Sequence, residues 1–452
     1  MIDIKKLKEH SYPDEVIFVL NELIENNFKA HIVGGAVRDI LLDREIYDYD
    51  VTTNALPEDV IKIFDKVIET GIKHGTVTVV MGDFNIEVTT YREDGKYRDF
   101  RRPENIKFSE TIEQDLKRRD FTINALAYSP LLSEFVDLFD GIKHLKEKKI
   151  VAINNPSDRF NEDALRMMRA VRFAVKLNFD IKDDVTEAIK KLNKNIKKIS
   201  MERINDEFTK IILSDNPAKG IRLLQQTGLL QHFIPDLVKC IGVTQNKYHV
   251  YDVYEHILHA LDNSKKDLIV RLSVLFHDIA KPQTRRILHG KVTFYNHEVI
   301  GADIVEKILK RLKYPNNIVK TVKHLVRNHM FHYTEEWKDS TVRRFINKVG
   351  IEYLDYLLEI RKADAGAGNP EYKDELYMEL FEKIKKMLEQ ETVFNIRDLA
   401  INGKDVMDKL NIKPSKTVGE ILQNTLLFVL KDPQNNDREI LLDFIENIYK
   451  EK

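Results

Sequence analysis

Cysteine is nearly absent from the sequence: Cys240 is the only one in 452 residues. A disulfide framework within the chain is therefore excluded, which fits a reducing compartment. Charge of one sign is not in excess either. Lys and Arg total 72 against 73 Asp and Glu, a formal net charge of −1. A polyanionic partner would thus need a local basic groove rather than a basic surface overall. No uncharged apolar run approaches the roughly 18 residues that a membrane span requires. The opening MIDIKKLKEH lacks the apolar core of a signal peptide. A cytoplasmic chain that meets no membrane is expected. No internal repeat and no low-complexity segment stands out. With 43% hydrophobic residues, the chain can bury more core than one ordinary domain holds.

The first 140 or so residues mix two periodicities. HIVGG, TVTVV and NIEVTTY are rich in Val, Ile and Thr and predict strands. AVRDILL and PEDVIKIF predict short helices, with Pro57 suited to the first turn of the second. Beyond about residue 142 strand-like alternation nearly vanishes, and apolar residues recur at helical spacing, as in NEDALRMMRAVRFAVKL. The expected fold class is α+β: a head with a small mixed sheet, then an all-α neck, body and tail. Expected boundaries are 1–141, 142–240, 241–369 and 370–452, with joints near Asp140-Gly141, Lys239 to Asn246, and Asn369-Pro370.

Two head segments carry chemistry. In HIVGGAVRD a strand meets Gly34-Gly35 and a helix follows. Glycines there let backbone approach a ligand, and the helix start offers free N–H groups to phosphate. Arg38, one turn in, is placed to reach the same phosphates. Alone, such a turn is commonly just a turn. Ten residues on, Asp48-Tyr49-Asp50 places two carboxylates two apart. On a strand they would face one side and repel unless a cation sits between them. Mg²⁺ is the natural occupant, and paired ions suit in-line displacement at phosphorus. Glu87, in the strand-like NIEVTTY, is a candidate third acid, against the simpler reading of a solvated glutamate.

Taken with RRDFTINALA (118–127), LFDGIKHL (138–145), NEDALRMMRAVRFA (161–174) and the ISMERINDEF segment that starts at Ile199, this order of motifs resembles the class II CCA-adding enzymes and their bacterial poly(A) polymerase relatives. The resemblance implies a template-independent nucleotidyltransferase acting on tRNA with CTP and ATP. It implies Asp48 and Asp50 as Mg²⁺ ligands. It also implies that Gly35, Arg38, Arg119, Asp163, Arg166, Arg169 and Arg172 hold the incoming nucleotide.

Residue chemistry supports one part of this separately. Asp163 and Arg166 are three apart on an expected helix and would share a face. Asp accepts hydrogen bonds and Arg only donates. Cytosine and adenine each show an amino donor beside a bare ring nitrogen, whereas guanine and uracil show the reverse. One Asp/Arg pair can therefore admit C and A and reject G and U. The bland alternative is an ordinary surface ion pair. Between the head motifs, 92–108 is rich in charge and is expected to be a loop rather than a strand, a lever between the C-fitting and A-fitting states.

In the body, His256, His277, Asp278, His297, His329 and Asp364 lie in segments that resemble the HD phosphohydrolase superfamily. They form an expected site for a divalent transition metal, with phosphoester hydrolysis as the chemistry. The alternative is a helical body that merely carries these residues. Lys404, Lys409, Lys413 and Lys416 in the tail are candidates for tRNA phosphates or a solvated face. The expected activity is addition of C, C and A. The rivals are an A-only or poly(A)-adding enzyme, an RNA-binding regulator with a dead head, and a phosphohydrolase.

Overall fold

The computed structural model describes residues 2–94, 106–245, 250–331, 333–367, 375–390 and 393–450. The chain divides into two compact units, Met1–Val238 with Arg311–Lys313, and Lys239–Lys310 with Tyr314–Lys452.

The first unit opens on a mixed seven-stranded sheet. Its strands are β1 (Ala30–Val33), β2 (Asp50–Thr53), β3 (Val67–Gly71), β4 (Thr76–Met81) and β5 (Phe84–Thr90), and later β8 (Leu126–Ser129) and β9 (Glu134–Asp137). The spatial order is β3-β4-β5-β2-β1-β8-β9. Only the central β2/β5 pair is parallel within it, and that pairing sets Asp50 directly beside Glu87. Strand and helix readings over β1, β4, β5, Gly35–Leu41 and Pro57–Ile63 hold, with Pro57 at the first turn. The stretch 92–108 is corrected at its ends. Arg92–Asp94 (β6) and Ile106–Phe108 (β7) form an antiparallel ladder, so the base of the expected loop is a hairpin. Its middle, 95–105, lies outside the described residues.

Helices follow. In Arg166–Leu177, Met167, Ala170, Val171 and Ala174 are fully buried, while the arginines at 166, 169 and 172 recur every third residue on another face. Each large apolar side chain so buried stabilises the fold by about 1.5–3 kcal/mol. That burial fixes the helix and thereby aims the arginine row.

The second unit is helical apart from a short hairpin, Arg286–Leu288 with Lys291–Thr293. Leu268–Phe276 is apolar apart from Arg271 and Ser273 and is buried from Val270 to its end, as expected for a helix enclosed by others. Asp267 caps it by accepting from the Val270 N–H. The last three helices, Gly403–Leu410, Lys416–Val429 and Arg438–Lys450, enclose their own apolar cluster around Val406, Leu430, Leu441 and Ile445. No helix among the described residues is long and apolar enough to cross a membrane.

Candidate functional site

A cavity of about 530 Å³ opens in the first unit. Its floor is the sheet: Val33, Asp50, Glu87 and Thr89. Gly34 turns the chain there with φ +73 and ψ −118, a conformation open to glycine and strained for any other residue. A Cβ on Gly34 would stand 3.1 Å from Arg119 Nη1, so the absent side chain leaves room for that guanidinium. The helix Gly35–Leu41 starts immediately after the turn.

Asp50 is a strongly perturbed acid of the cavity. Burial pushes its carboxyl up to about 6, Glu87 and Asp48 push the same way, and Arg119 opposes them. Asp48 reaches this neighbourhood by another route than expected. β2 begins at Asp50, so strand alternation does not align the pair. Asp48 sits in the exposed chain before the strand and is not among the cavity-lining residues. Glu87 has the position next to Asp50 because β2 and β5 run parallel in register.

The opposite wall is arginine-rich: Arg38, Arg118, Arg119, Arg166, Arg169, Arg172 and Arg203 all line the cavity. Each is held by a carboxylate. Asp39 takes Arg38 at 2.8 and 2.9 Å, and buried Asp115 takes both Arg118 and Arg119. Asp120 takes Arg169 at 2.6 Å, and Glu207 takes Arg172 at 2.6 Å. Burial alone would raise Asp120, yet the Arg169 charge, the Asn124 amide and Arg166 hold it at about 2. The Phe173 ring lies against Arg38, Arg169 and Arg172, with guanidinium carbons 5.3, 5.3 and 4.2 Å from its centre.

The expected Asp163/Arg166 face is corrected. One helix ends at Glu162 and the next begins at Arg166, with Asp163 extended between them (φ −139, ψ 106). The cause is local: Asp163 Oδ1 accepts from the Leu165 N–H at 3.0 Å, an aspartate competing with the helix for its own backbone. Asp163 pairs with Arg203 at 2.7 Å, and Arg166 pairs with Glu162 at 2.6 Å and donates to the Arg118 carbonyl at 2.8 Å. Arg203, Asp115, Asp120, Asn124 and Glu207 were not singled out from sequence, although all but Asp115 lie inside the quoted motifs.

In the second unit the six expected body residues converge. His256 Nε2 is 2.8 Å from Asp364 Oδ1, and His277 Nε2 is 3.2 Å from Asp278 Oδ2. His297 Nε2 is 3.3 Å from Asp278 Oδ1 and 3.3 Å from His329 Nε2. The Nδ1 atoms of His277, His297 and His329 face the carbonyls of Val274, Phe294 and Val326 at 2.7, 2.8 and 2.7 Å. Donation to those carbonyls turns the Nε2 lone pairs inward, the tautomer a metal ligand needs. His277 Nε2 and Asp278 Oδ2 are buried with no hydrogen bond of proper geometry between or around them. Burial would lower His277, but Asp278 and Asp364 raise it to about 10. Lys281, buried, sits 2.6 Å from Asp278 Oδ2.

Similarity to known proteins follows the same division. Residues 30–151 match the model for the poly A polymerase head domain, 178–240 that for the RNA and SrmB-binding site of polymerase A, and 295–445 that for tRNA nucleotidyltransferase domain 2. The CCA-adding enzyme of Enterococcus faecalis is 32% identical over 428 residues, 94% of each chain. That of Ligilactobacillus salivarius is 33% identical over 444 residues, 97% of this chain and 98% of its own. The crystal structure of the Bacillus stearothermophilus CCA-adding enzyme in complex with CTP superposes with a TM-score of 0.73 at 26% identity, covering 97% of this chain and 98% of that one. The Thermotoga maritima CCA-adding enzyme complexed with tRNA, at 21% identity and a TM-score of 0.59 over 99% and 98% of the two chains, shares the fold. On identity at this level along nearly the whole length, the chain belongs to the family of the CCA-adding enzymes.

Proposed function

We propose that this chain adds C, C and A, without a template, to the 3′ end of tRNA, using CTP and ATP. The observation that carries the reading is the cavity itself: Asp50 and Glu87 side by side on its floor, in a lining that also holds eight arginines. Acids on one side and cations on the other suit a triphosphate whose α-phosphorus is attacked. The 3′-hydroxyl oxygen forms the new bond to that phosphorus, the bond to the bridging oxygen breaks, and pyrophosphate leaves. The hydroxyl proton passes to a nearby carboxylate or to water. Arg119, Arg169 and Arg172 steady the phosphates, and Gly34-Gly35 lets the backbone come close.

Nucleotidyltransferases of this family use divalent metals. The donors here fit one: three carboxylates, with Asp50 raised by burial and by its two acidic neighbours, gain most from a hard cation. We assign Asp48, Asp50 and Glu87 to Mg²⁺, which when bound neutralises charge at the attacking and leaving oxygens. Asp163 and Arg166 remain our reading of the base-contacting pair. The tail is proposed as a tRNA contact, within a division into head, neck, body and tail.

The test uses purified full-length chain and three tRNAs, ending before CCA, after C and after CC, with CTP and ATP singly and together. Two C additions, one A and then a stop are expected. Asp50→Ala should lower incorporation by at least about 10²-fold, the scale of losing a main transition-state stabiliser. Failure to use CTP on the shortest tRNA, or a wild-type rate in Asp50→Ala, would refute the reading.

A second reading attaches to the body because its side chains favour it. Buried histidines whose Nε2 atoms converge on the Asp278 and Asp364 carboxylates fit a divalent transition metal held by His256, His277, Asp278, His297, His329 and Asp364. Such a metal would supply an activated water, the chemistry of phosphoester hydrolysis.

A further inference from the structure

We infer that Arg203 is a specificity-determining positioning residue: by occupying the Asp163 carboxylate it leaves a single acceptor site for the incoming base. The inference rests on the reading of Asp163 as the base-contacting acid.

A carboxylate offers about four lone-pair sites, two on each oxygen. At Asp163 Oδ1, one site accepts the Leu165 N–H at 3.0 Å and the other faces Arg203 Nη1 at 3.4 Å. At Oδ2, Arg203 Nη2 takes one site at 2.7 Å. Three sites are filled, and one on Oδ2 remains. The contact from Arg203 is two-pronged, so it also sets the plane of the carboxylate, which a single hydrogen bond would leave free to turn. Both side chains line the cavity and are only partly exposed, 28% for Arg203 and 17% for Asp163. Arg203 sits on the helix Met201–Ile212, where Ile204, Phe208, Ile211 and Ile212 are buried and anchor it.

One fixed acceptor is what discrimination needs. The exocyclic amino groups of cytosine and adenine can donate to it. Uracil and guanine present a carbonyl oxygen at the same place and meet repulsion. They do carry a ring N–H, and a carboxylate free to turn, with its other sites empty, can accept that instead. Arg203 blocks this escape. Arg166 does not serve in its place here, because its guanidinium is engaged by Glu162 and by the Arg118 carbonyl.

The experiment measures kcat/KM for CTP, ATP, UTP and GTP on matched tRNAs for the wild type, Arg203→Ala, Arg203→Lys and Asp163→Ala, with melting curves beside them. Arg203→Ala should raise the use of UTP relative to CTP, and of GTP relative to ATP, by about tenfold or more, the weight of one charge-assisted hydrogen bond. Arg203→Lys should restore part of the discrimination, since an ammonium can hold Oδ2 but not both oxygens. A general loss of rate with unchanged ratios in Arg203→Ala, while Asp163→Ala blurs base choice, would overturn the inference. Unchanged ratios in Asp163→Ala would instead refute the base-contacting reading. Should Arg203→Ala fail to fold, Arg203→Lys and Arg203→Gln carry the same comparison of ratios.

Discussion

At the residue scale, the cavity answers how a chain of net charge −1 can bind a triphosphate. Seven of the lining arginines are matched by acids, yet an arginine has five N–H donors and a carboxylate takes two, so donors remain for phosphate. The acids are positioning groups as much as counter-charges. Asp120 shows the energetic side. Its folded pKa, about 2, lies below the ordinary 3.8, so the ionised form is favoured by folding. That stability is present above about pH 4 and is lost as pH falls through about 2. The shift corresponds to about 2–3 kcal/mol. Asp120→Asn should therefore lower the melting temperature at pH 7, by several degrees for a chain of this size. The gap from wild type should narrow as pH drops below 4. With Arg169 released, KM for CTP and ATP should rise. Equal melting curves at pH 7 would show that the Asp120–Arg169 pair contributes nothing net.

At the element scale, sequence was informative wherever structure is local. Val-, Ile- and Thr-rich runs became β1, β4 and β5, and Gly34-Gly35 became the strand-to-helix turn. What it did not show was pairing across distance. That Glu87 stands beside Asp50 depends on β5 joining β2 in parallel, a choice made by the whole sheet. The helix break at Asp163 was hidden because no Gly or Pro marks it, and apolar residues keep helical spacing through it. A single side-chain hydrogen bond to the Leu165 N–H makes the difference. Arg203 was unreadable as Asp163's partner because 40 residues separate them. The turn at Gly34 gives the sharpest test at this scale. Gly34→Ala would force a side chain into a conformation that costs about 1–3 kcal/mol and would press on Arg119. Nucleotide KM should rise by about tenfold or more, with tRNA binding little changed. A wild-type KM would mean that neither the turn nor the placement of Arg119 bears on the nucleotide.

At the scale of the whole molecule, two compact units each carry a cluster of charged side chains, and their chemistry differs in kind. The floor of the first is carboxylate oxygen, suited to hard ions. The cluster in the second is dominated by imidazole nitrogen, which suits zinc, iron, nickel or copper better than magnesium. The identity of the ions should therefore separate the sites. Purified chain dialysed without chelator should retain a transition metal, measured by elemental analysis. His277→Ala combined with Asp278→Ala should remove it while leaving C and A addition at the wild-type rate, since every residue lining the nucleotide cavity belongs to the other unit. Stability should report binding too: anything that binds only the folded state stabilises it, so wild type should melt higher with the metal than with a chelator, and the double variant should not respond. Wild-type chain that neither retains nor responds to any transition metal would leave the converging histidines as a buried polar network alone. A double variant that loses nucleotide addition without losing its fold would mean instead that the two clusters are coupled.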